Sequence, residues 1–154
     1  MRRCRLPFSG AAPISSELLT WFHGKGIPVY EAYGATECSG IISMNGPDAV
    51  RLGSVGQCVP GTKVRIDEDG EIMIFGPHLF SGYLHNDEAS TATFNADGWL
   101  HSGDLGRIDE DGFIFITGRK KEIIITAGGK NLSPERIENA LKMSPYIKEA
   151  IAIG

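Results

Sequence analysis

The run Tyr-Gly-Ala-Thr-Glu at residues 33–37 brings an aromatic ring, a hydroxyl and a carboxylate together around one glycine. The preceding apolar run at residues 27–30 predicts a buried strand. The five residues would then lie at its carboxyl end, where open α/β sheets bind ligands. Gly34 allows a tight turn and the close approach of a ligand. Thr36 and Glu37 suit a phosphate that carries Mg²⁺, although an ordinary buried turn explains the run equally well.

Four further runs of the same character follow one order along the chain. They are Ser-Gly-Ala-Ala-Pro at 9–13, Gly-Trp-Leu-His-Ser-Gly-Asp at 98–104, Gly-Arg-Lys-Lys-Glu at 118–122 and Gly-Gly-Lys-Asn-Leu-Ser-Pro at 128–134. Together the five runs resemble the adenylate-forming, or AMP-binding, superfamily, and within it the fatty acyl-CoA synthetases. Five runs in one order are far more specific than any single run.

The resemblance implies a ligase of fatty acid metabolism that works in two steps. A carboxylate first attacks the α-phosphorus of ATP, which gives an acyl adenylate and pyrophosphate. The thiol of coenzyme A then displaces AMP. The implied ligands are therefore ATP and AMP, Mg²⁺, coenzyme A and a fatty acid. Such chemistry depends mostly on positioning and electrostatics. Peptide-synthetase adenylation domains and luciferase-like enzymes share the nucleotide motifs and remain alternatives.

The resemblance also implies roles for the residues of the first two runs. Thr36 matches a contact to the α-phosphate, and Glu37 matches the ligand of Mg²⁺, with an exposed strand-end carboxylate as its structural alternative. Tyr33 matches a ring that stacks on adenine, against the alternative that it packs in the core. The small residues that match a loop at the adenine edge are Gly10, Ala11 and Ala12.

The later runs carry the remaining roles that the resemblance implies. Asp104 matches a carboxylate that accepts hydrogen bonds from both ribose hydroxyls, since an ionised aspartate only accepts. Arg119 matches a residue that contacts the ribose and a neighbouring phosphate. Lys121 matches the hinge between the two half-reactions. Gly129 matches a loop that moves toward the thiol tunnel, and Lys130 matches either a contact to a coenzyme A phosphate or a solvated lysine.

The predicted fold class is α/β, of the mixed α and β kind, in four parts. Residues 1–48 would be the end of a large ATP-binding α/β subdomain, and residues 49–118 a β-rich, barrel-like subdomain. Residues 119–122 would form the hinge. Residues 123–154 would begin a small, mobile C-terminal α+β domain.

Local patterns predict several individual elements. Ser15 is typical of a helix N-cap, and Ser133 with Pro134 predicts the start of another helix. The hexapeptide Arg-Ile-Asp-Glu-Asp-Gly occurs at 65–70 and again at 107–112, which indicates two hairpin turns. These acidic turns lack the full spacing of a calcium-binding loop, so we interpret them as solvated turns. Residues 123–125 predict a short buried strand, and residues 146–153 a final strand.

Composition excludes several classes of function. A net charge of -4 and a pI near 5.5 argue against nucleic acid as a partner. Three scattered cysteines resemble neither a disulfide framework nor a zinc site, and they favour a reducing, cytoplasmic setting. The four histidines lack metal-ligand spacing. The chain holds no apolar run of membrane-spanning length, which leaves peripheral membrane association of the parent protein open.

Members of the superfamily are several times longer than 154 residues. The resemblance implies a phosphate loop upstream and a catalytic lysine downstream, and neither is recognisable here. We therefore expect an internal fragment that needs the remainder of its own fold, and we expect the isolated chain to be inactive. The alternative, from a different class of function, is a non-catalytic remnant or a nucleotide-binding module.

Overall fold

The structure is a computed structural model that describes residues 4–126, 128–129 and 131–154. The predicted mixture of α and β elements is confirmed. In chain order the elements are β1 (Phe8–Ser9), α1 (Ser16–Gly24), β2 (Tyr30–Ala35), β3 (Gly40–Met44), β4 (Gln57–Cys58), β5 (Lys63–Ile66), β6 (Glu71–Phe75), α2 (Asp87–Thr93), β7 (Leu100–Ile108), β8 (Ile114–Arg119), β9 (Ile124–Ile125), β10 (Asn131–Leu132) and α3 (Pro134–Lys142).

The first sheet has the strand order β1-β2-β3-β4. Strand β1 runs parallel to β2, and α1 connects the two. The predicted strand at residues 27–30 is wrong in its bounds, because β2 begins only at Tyr30. Pro28 has no N–H to donate to a neighbouring strand, which disfavours pairing just before that point. Tyr33 and Gly34 consequently lie inside β2, and the turn that follows is a short 3-10 helix, Thr36–Cys38.

Helix α1 begins where the sequence predicts. The backbone N–H of Leu18 donates to Oγ of Ser15 at 3.2 Å, so the N-cap is confirmed. Leu19 is fully buried and fastens the helix to the sheet. The chain leaves the helix at Gly26, whose φ of +72° lies in the left-handed region that glycine adopts without strain.

The second sheet has the order β5-β6-β7-β8 and is antiparallel throughout. Both acidic hexapeptides form its hairpin turns, as predicted, with Gly70 N–H donating to Asp67 O and Gly112 N–H to Asp109 O, each at 3.0 Å. Glu68 and Asp69 in the first turn, and Glu110 and Asp111 in the second, are exposed, which agrees with the interpretation as solvated turns. Carboxylates of both turns also take part in ion pairs, Asp69 with Lys120, and Asp109 and Asp111 with Arg51.

One hydrophobic core joins the two larger sheets. Backbone hydrogen bonds of 2.9 Å run from Val55 N to Ile114 O and from Ile114 N to Gly56 O, so β8 is bonded to the segment that leads into β4. This continuity fits the barrel-like arrangement predicted for residues 49–118. The side chains that make the shared core are Tyr33, Cys38, Ile42, Ile72, Ile74, Leu100 and Ile114.

The C-terminal part differs most from the sequence expectations. Strands β9 and β10 pair only with each other, and Ile125 is 71% exposed, so the predicted burial of residues 123–125 is wrong there. Helix α3 starts at Pro134 as predicted, but Ser133 makes no side-chain cap bond. The final strand predicted for residues 146–153 is absent from the described structure, because no neighbouring strand is there to pair with it. None of the described helices has the length and apolarity needed to cross a membrane.

Candidate functional site

A cleft of about 1790 Å³ opens between the two larger sheets, the segment before α1, and α3. This volume exceeds the few hundred to roughly 1,000 Å³ of a typical small-molecule site. The structure brings most of the predicted site residues to its walls. These are Ala11, Ala12, Tyr33, Gly34, Glu37, Asp104, Arg119 and Lys121. Gly10, Thr36 and Gly129 lie outside its lining, and Lys130 lies outside the described residues.

Asp104 accepts a side-chain hydrogen bond at each of its two carboxylate oxygens. Its Oδ2 accepts a hydrogen bond from the hydroxyl of Tyr33 at 2.6 Å, and its Oδ1 accepts from Nε of Arg119 at 2.9 Å. Asp104 and Arg119 are register partners across β7 and β8, which is why they meet. Only 9% of the Asp104 side chain is exposed, whereas 60% of the Arg119 side chain is. Each carboxylate oxygen has lone-pair capacity left for a ligand donor.

Tyr33 serves the site through its hydroxyl, while its ring packs in the core. The residue is 8% exposed and belongs to the hydrophobic cluster that joins the sheets. Burial raises the pKa of Tyr33, and the charge and hydrogen bond of Asp104 raise it further. The phenol therefore stays protonated and donates to Asp104. The stacking of its ring on a base stays a prediction.

Glu37 lies in the 3-10 turn that follows β2, with one oxygen already engaged. Its Oε1 accepts a hydrogen bond from the hydroxyl of Tyr83 at 2.7 Å, and its backbone oxygen accepts from Phe80 N at 2.8 Å. The sequence analysis missed Tyr83, and no local signal identifies it because it lies 46 residues away. The second carboxylate oxygen remains for a cation.

The chemistry of this turn fits Mg²⁺ better than a metal held by protein ligands alone. Among residues 4–126, 128–129 and 131–154, no group of three or more His, Cys, Asp or Glu side chains is placed to hold a metal ion. Mg²⁺ keeps several waters and binds through one or two carboxylates plus substrate phosphates. A single carboxylate such as that of Glu37 is sufficient for that arrangement.

The loop of small residues approaches β2 closely. A Cβ on Gly10 would lie 3.0 Å from the backbone oxygen of Ala32, so a side chain there would require a small shift of this backbone. Ala11 has a φ of +66°, an uncommon value for a residue with a side chain. Ala11 and Ala12 line the cleft, whereas Gly10 is close to β2 and lies outside the lining.

Glu31 is a half-buried carboxyl that was not among the predicted site residues. It lines the cleft two residues before Tyr33, and within the described structure its buried Oε2 has no hydrogen-bond partner. Burial raises its pKa from 4.5 to about 7, an effect that a hydrogen bond from the backbone of Gly53 partly offsets. An acidic residue two positions before the tyrosine is visible in the sequence, but its burial is not.

Residues of the expected hinge lie at the end of β8. Lys121 is exposed and lines the cleft, and Glu122 N–H donates to Arg119 O at 3.1 Å, which makes a turn there. Gly129 has a φ of +76° and donates its N–H to Thr126 O at 2.8 Å. The structure thus describes a turn at each end of β9, and the hinge and loop roles stay predictions.

Comparison with known proteins points to one family. The profile of the AMP-binding enzyme family matches residues 1–84. The long-chain-fatty-acid–CoA ligase FadD15 of Mycobacterium tuberculosis is 46% identical over 98% of the chain, which covers 25% of that protein. The long-chain-fatty-acid–CoA ligase ACSBG2 of Gallus gallus is 49% identical over 99% of the chain, which covers 21% of that protein. The chain thus spans a quarter or less of these relatives.

Solved structures agree as well. O-succinylbenzoate coenzyme A synthetase (MenE) of Bacillus subtilis in complex with AMP matches all of the chain, with a TM-score of 0.89 and 32% identity over 35% of its own chain. ATP-bound MatB of Rhodopseudomonas palustris matches 97% of the chain, with a TM-score of 0.85 and 36% identity over 32% of its own chain. The sequence motifs, the fold and the family profile agree, and the chain belongs to the AMP-binding enzyme family.

Proposed function

We propose that this chain is part of an ATP- and Mg²⁺-dependent fatty acyl-CoA ligase, which joins a carboxylate to AMP and then transfers the acyl group to coenzyme A. The observation that carries the proposal is the arrangement around Asp104. A nearly buried carboxylate is held by Tyr33 and Arg119 at the wall of the cleft that Glu37 also lines. Relatives at 46–49% identity are named long-chain-fatty-acid–CoA ligases, which supports a fatty acid as the substrate.

Asp104 binds the ribose in this proposal. Tyr33 and Arg119 fix the carboxylate in one orientation, so that it can accept hydrogen bonds from vicinal hydroxyls without first reorganising. Arg119 is more than half exposed toward the cleft side of β8, which leaves its remaining guanidinium donors for an oxygen of the ribose or the phosphate.

Glu37 holds the metal in this proposal, and Thr36 lies beside it at the α-phosphate. Mg²⁺ bound there would neutralise charge on the phosphate oxygens during adenylation. Tyr83 donates to one oxygen of Glu37 and so aims the other at the cation. Two neighbours, MenE of Bacillus subtilis with ATP and magnesium and ATP-bound MatB, carry such ligands in their own structures, which supports the assignment.

The second half-reaction is assigned to the C-terminal part. Lys121 would be the point of rotation, and the loop with Gly129 and Lys130 would meet coenzyme A. The cytoplasm is the proposed location, supported by three cysteines that all remain free and by the absence of a disulfide framework. Peripheral association with a membrane through the parent protein stays a prediction.

Binding of AMP to the 154-residue chain tests the nucleotide assignment directly. Saturation-transfer NMR with AMP should show binding that Asp104→Asn weakens at least about tenfold, because the amide can no longer accept at both oxygens. Asp97→Asn, an exposed aspartate in a turn before β7, is the matched control and should bind AMP as the parent chain does. Equal affinity of the Asp104 variant and the control would contradict the ribose role.

Pyrophosphate release tests the activity. With ATP, Mg²⁺, coenzyme A and fatty acids of increasing length, the full-length ligase should release pyrophosphate, and Glu37→Gln should reduce Mg²⁺-dependent release at least about a hundredfold. The isolated chain should release almost none. Binding of AMP without turnover in the full-length protein would favour the alternative, a nucleotide-binding module.

A further inference from the structure

Glu71, a buried carboxylate in the wall of the cleft, accepts hydrogen bonds from three positions in the chain. Glu71 stands at the start of β6 with only 4% of its side chain exposed. Its Oε1 accepts from the backbone N–H of Gly103 at 2.8 Å. Its Oε2 lies 3.0 Å from Nζ of Lys120 and 3.1 Å from Nδ1 of His101. Burial by itself would raise the pKa of Glu71, but the bonds from Lys120, His101 and Gly103 lower it below its usual value.

Lys120 contacts this cluster through both its backbone and its ammonium group. Its backbone N–H donates to the oxygen of Gly103 at 2.8 Å, and its ammonium contacts Asp69 as well as Glu71. Gly103 is therefore held at both its N–H and its C=O. Its φ of +73° is a conformation that few other residues adopt, so the segment has one defined shape.

Gly103 and Lys120, which bind Glu71, are the sequence neighbours of the ion pair between Asp104 and Arg119. Gly103 precedes Asp104 directly, and Lys120 follows Arg119 directly. Across β7 and β8 the register contains a bulge just beyond this point, between Leu105 and Gly106. A bulge disrupts the regular ladder and bends the strand, so the contacts of Glu71 add to the strand pairing that places Asp104 beside Arg119.

We propose that Glu71 is a positioning residue of the nucleotide site, which fixes the backbone before Asp104 and the side chain after Arg119 so that this pair meets the ribose already aligned. The inference rests on the proposed function for the identity of the ligand. The contact geometry that it explains is independent of that function. Lys120 contacts the carboxylates of both Asp69 and Glu71. It is the residue through which Glu71 acts on the neighbouring Arg119.

Glu71→Gln tests the proposal, since glutamine keeps the size of the side chain but cannot neutralise Lys120. We expect the amide of Gly103 to exchange with deuterium at least about tenfold faster, because a charge-assisted bond becomes a weaker neutral one. The amide of Ile114, bonded to Gly56 O on the other side of the core, is the internal reference and should change less than about twofold. The dissociation constant of AMP should rise about five- to twentyfold.

Two further variants isolate the mechanism. Asp69 is the more exposed carboxylate partner of Lys120, with 48% of its side chain exposed. Asp69→Asn should therefore change the exchange rate at Gly103 and the affinity for AMP less than about twofold. Lys120→Met in the Glu71→Gln background should add little to the loss of AMP affinity, because the two residues act together. Additive losses in the double variant would overturn the proposed route through Lys120.

The outcomes separate this inference from the function on which it rests. If the parent chain does not bind AMP, the nucleotide assignment fails, and the exchange rate at Gly103 still decides whether Glu71 positions that segment. Equal acceleration at Gly103 and Ile114 would make Glu71 a general stability residue and overturn the proposal. Unchanged exchange at Gly103 in a folded Glu71→Gln protein, judged by its urea midpoint, would overturn it as well.

Discussion

At the scale of single residues, the cleft contains carboxyl groups in contrasting states. Asp104 has a donor on each oxygen, whereas Glu31 has a buried oxygen without a partner in the described structure. The pKa of Glu31 is accordingly raised to about 7. Desolvation disfavours the charged form of this carboxyl, and the hydrogen bond from the backbone of Gly53 offsets that effect only in part.

The raised pKa of Glu31 predicts a loss of stability with rising pH. The unfolded chain releases this proton near 4.5 and the folded chain near 7, so the folded state is weakened progressively across that window. Glu31→Gln should raise the free energy of unfolding at pH 8 by up to about 3 kcal/mol, at about 1.4 kcal/mol per pK unit, and by less than about 1 kcal/mol at pH 5.

Urea denaturation at the two pH values measures the effect. Glu110→Gln, an exposed carboxyl at the tip of the second hairpin turn, is the matched control and should change stability equally little at both pH values. A gain from Glu31→Gln that is the same at pH 5 and pH 8 would show that the carboxyl does not titrate in this window.

The contact between Tyr83 and Glu37 predicts a change in the titration of the phenol. The hydrogen bond to Glu37 raises the pKa of Tyr83, since ionisation would place two negative charges together. Glu37→Gln should lower this pKa toward 10. Ultraviolet titration of tyrosinate, with Tyr83→Phe variants subtracted to isolate the signal, measures it. An unaltered titration of Tyr83 would mean that the two side chains do not meet in solution.

At the scale of elements, the turn that carries Glu37 depends on how closely β2 and β3 approach. A Cβ on Gly34 would lie 1.7 Å from the backbone oxygen of Gly40, so no side chain fits between these strands. The sequence analysis assigned Gly34 to ligand approach, and the structure adds this packing reason. The register shift between Tyr33 and Gly34 falls at the same place. The close approach of Gly34 to the backbone of Gly40 thus accompanies the register shift that leads into the turn with Glu37.

Gly34→Ala should therefore destabilise the protein by more than about 3 kcal/mol, because backbone must move to relieve the overlap. Gly46→Ala is the control, since a Cβ there meets nothing within 4 Å and its φ is not positive. Chemical denaturation compares the two variants. A loss below about 1 kcal/mol for Gly34→Ala would show that the strands separate easily at this point.

At the scale of the whole molecule, stability should be unevenly distributed. Ile72, Met73 and Ile74 of β6 are fully buried, whereas none of the side chains of α3 whose burial is described is buried. The apolar side chains of α3 are partly exposed, with Ile137 at 36% and Leu141 at 46%. Elements with few buried apolar contacts open at a lower free energy than the core.

Native-state hydrogen exchange should therefore show at least about a hundredfold lower protection for the amides of α3 than for those of β6. Helix α1 is the matched control, since it is also nine residues long but contains the buried Leu19. Its protection should be intermediate. Equal protection of α3 and β6 would mean that the chain unfolds as a single cooperative unit.

The sequence by itself determined what depends on neighbours along the chain. The N-cap at Ser15, the proline start of α3, the two acidic hairpins and the five ordered motifs were all readable, because caps and turns are set within a few residues. The strand predicted at residues 27–30 was wrong in its bounds, and the strand predicted at 146–153 was wrong, since apolar content does not supply a pairing partner.

Only the tertiary structure decided which side chains meet. Tyr33 reaches Asp104 across 71 positions, Tyr83 reaches Glu37 across 46, and Lys120 reaches Glu71 across 49. None of these three pairs is a pair of register partners in a sheet, so the packing of separate strands and turns brings each contact together. The motifs name the groups that can bind a nucleotide, and the packing of the two sheets sets how those groups are charged, oriented and held.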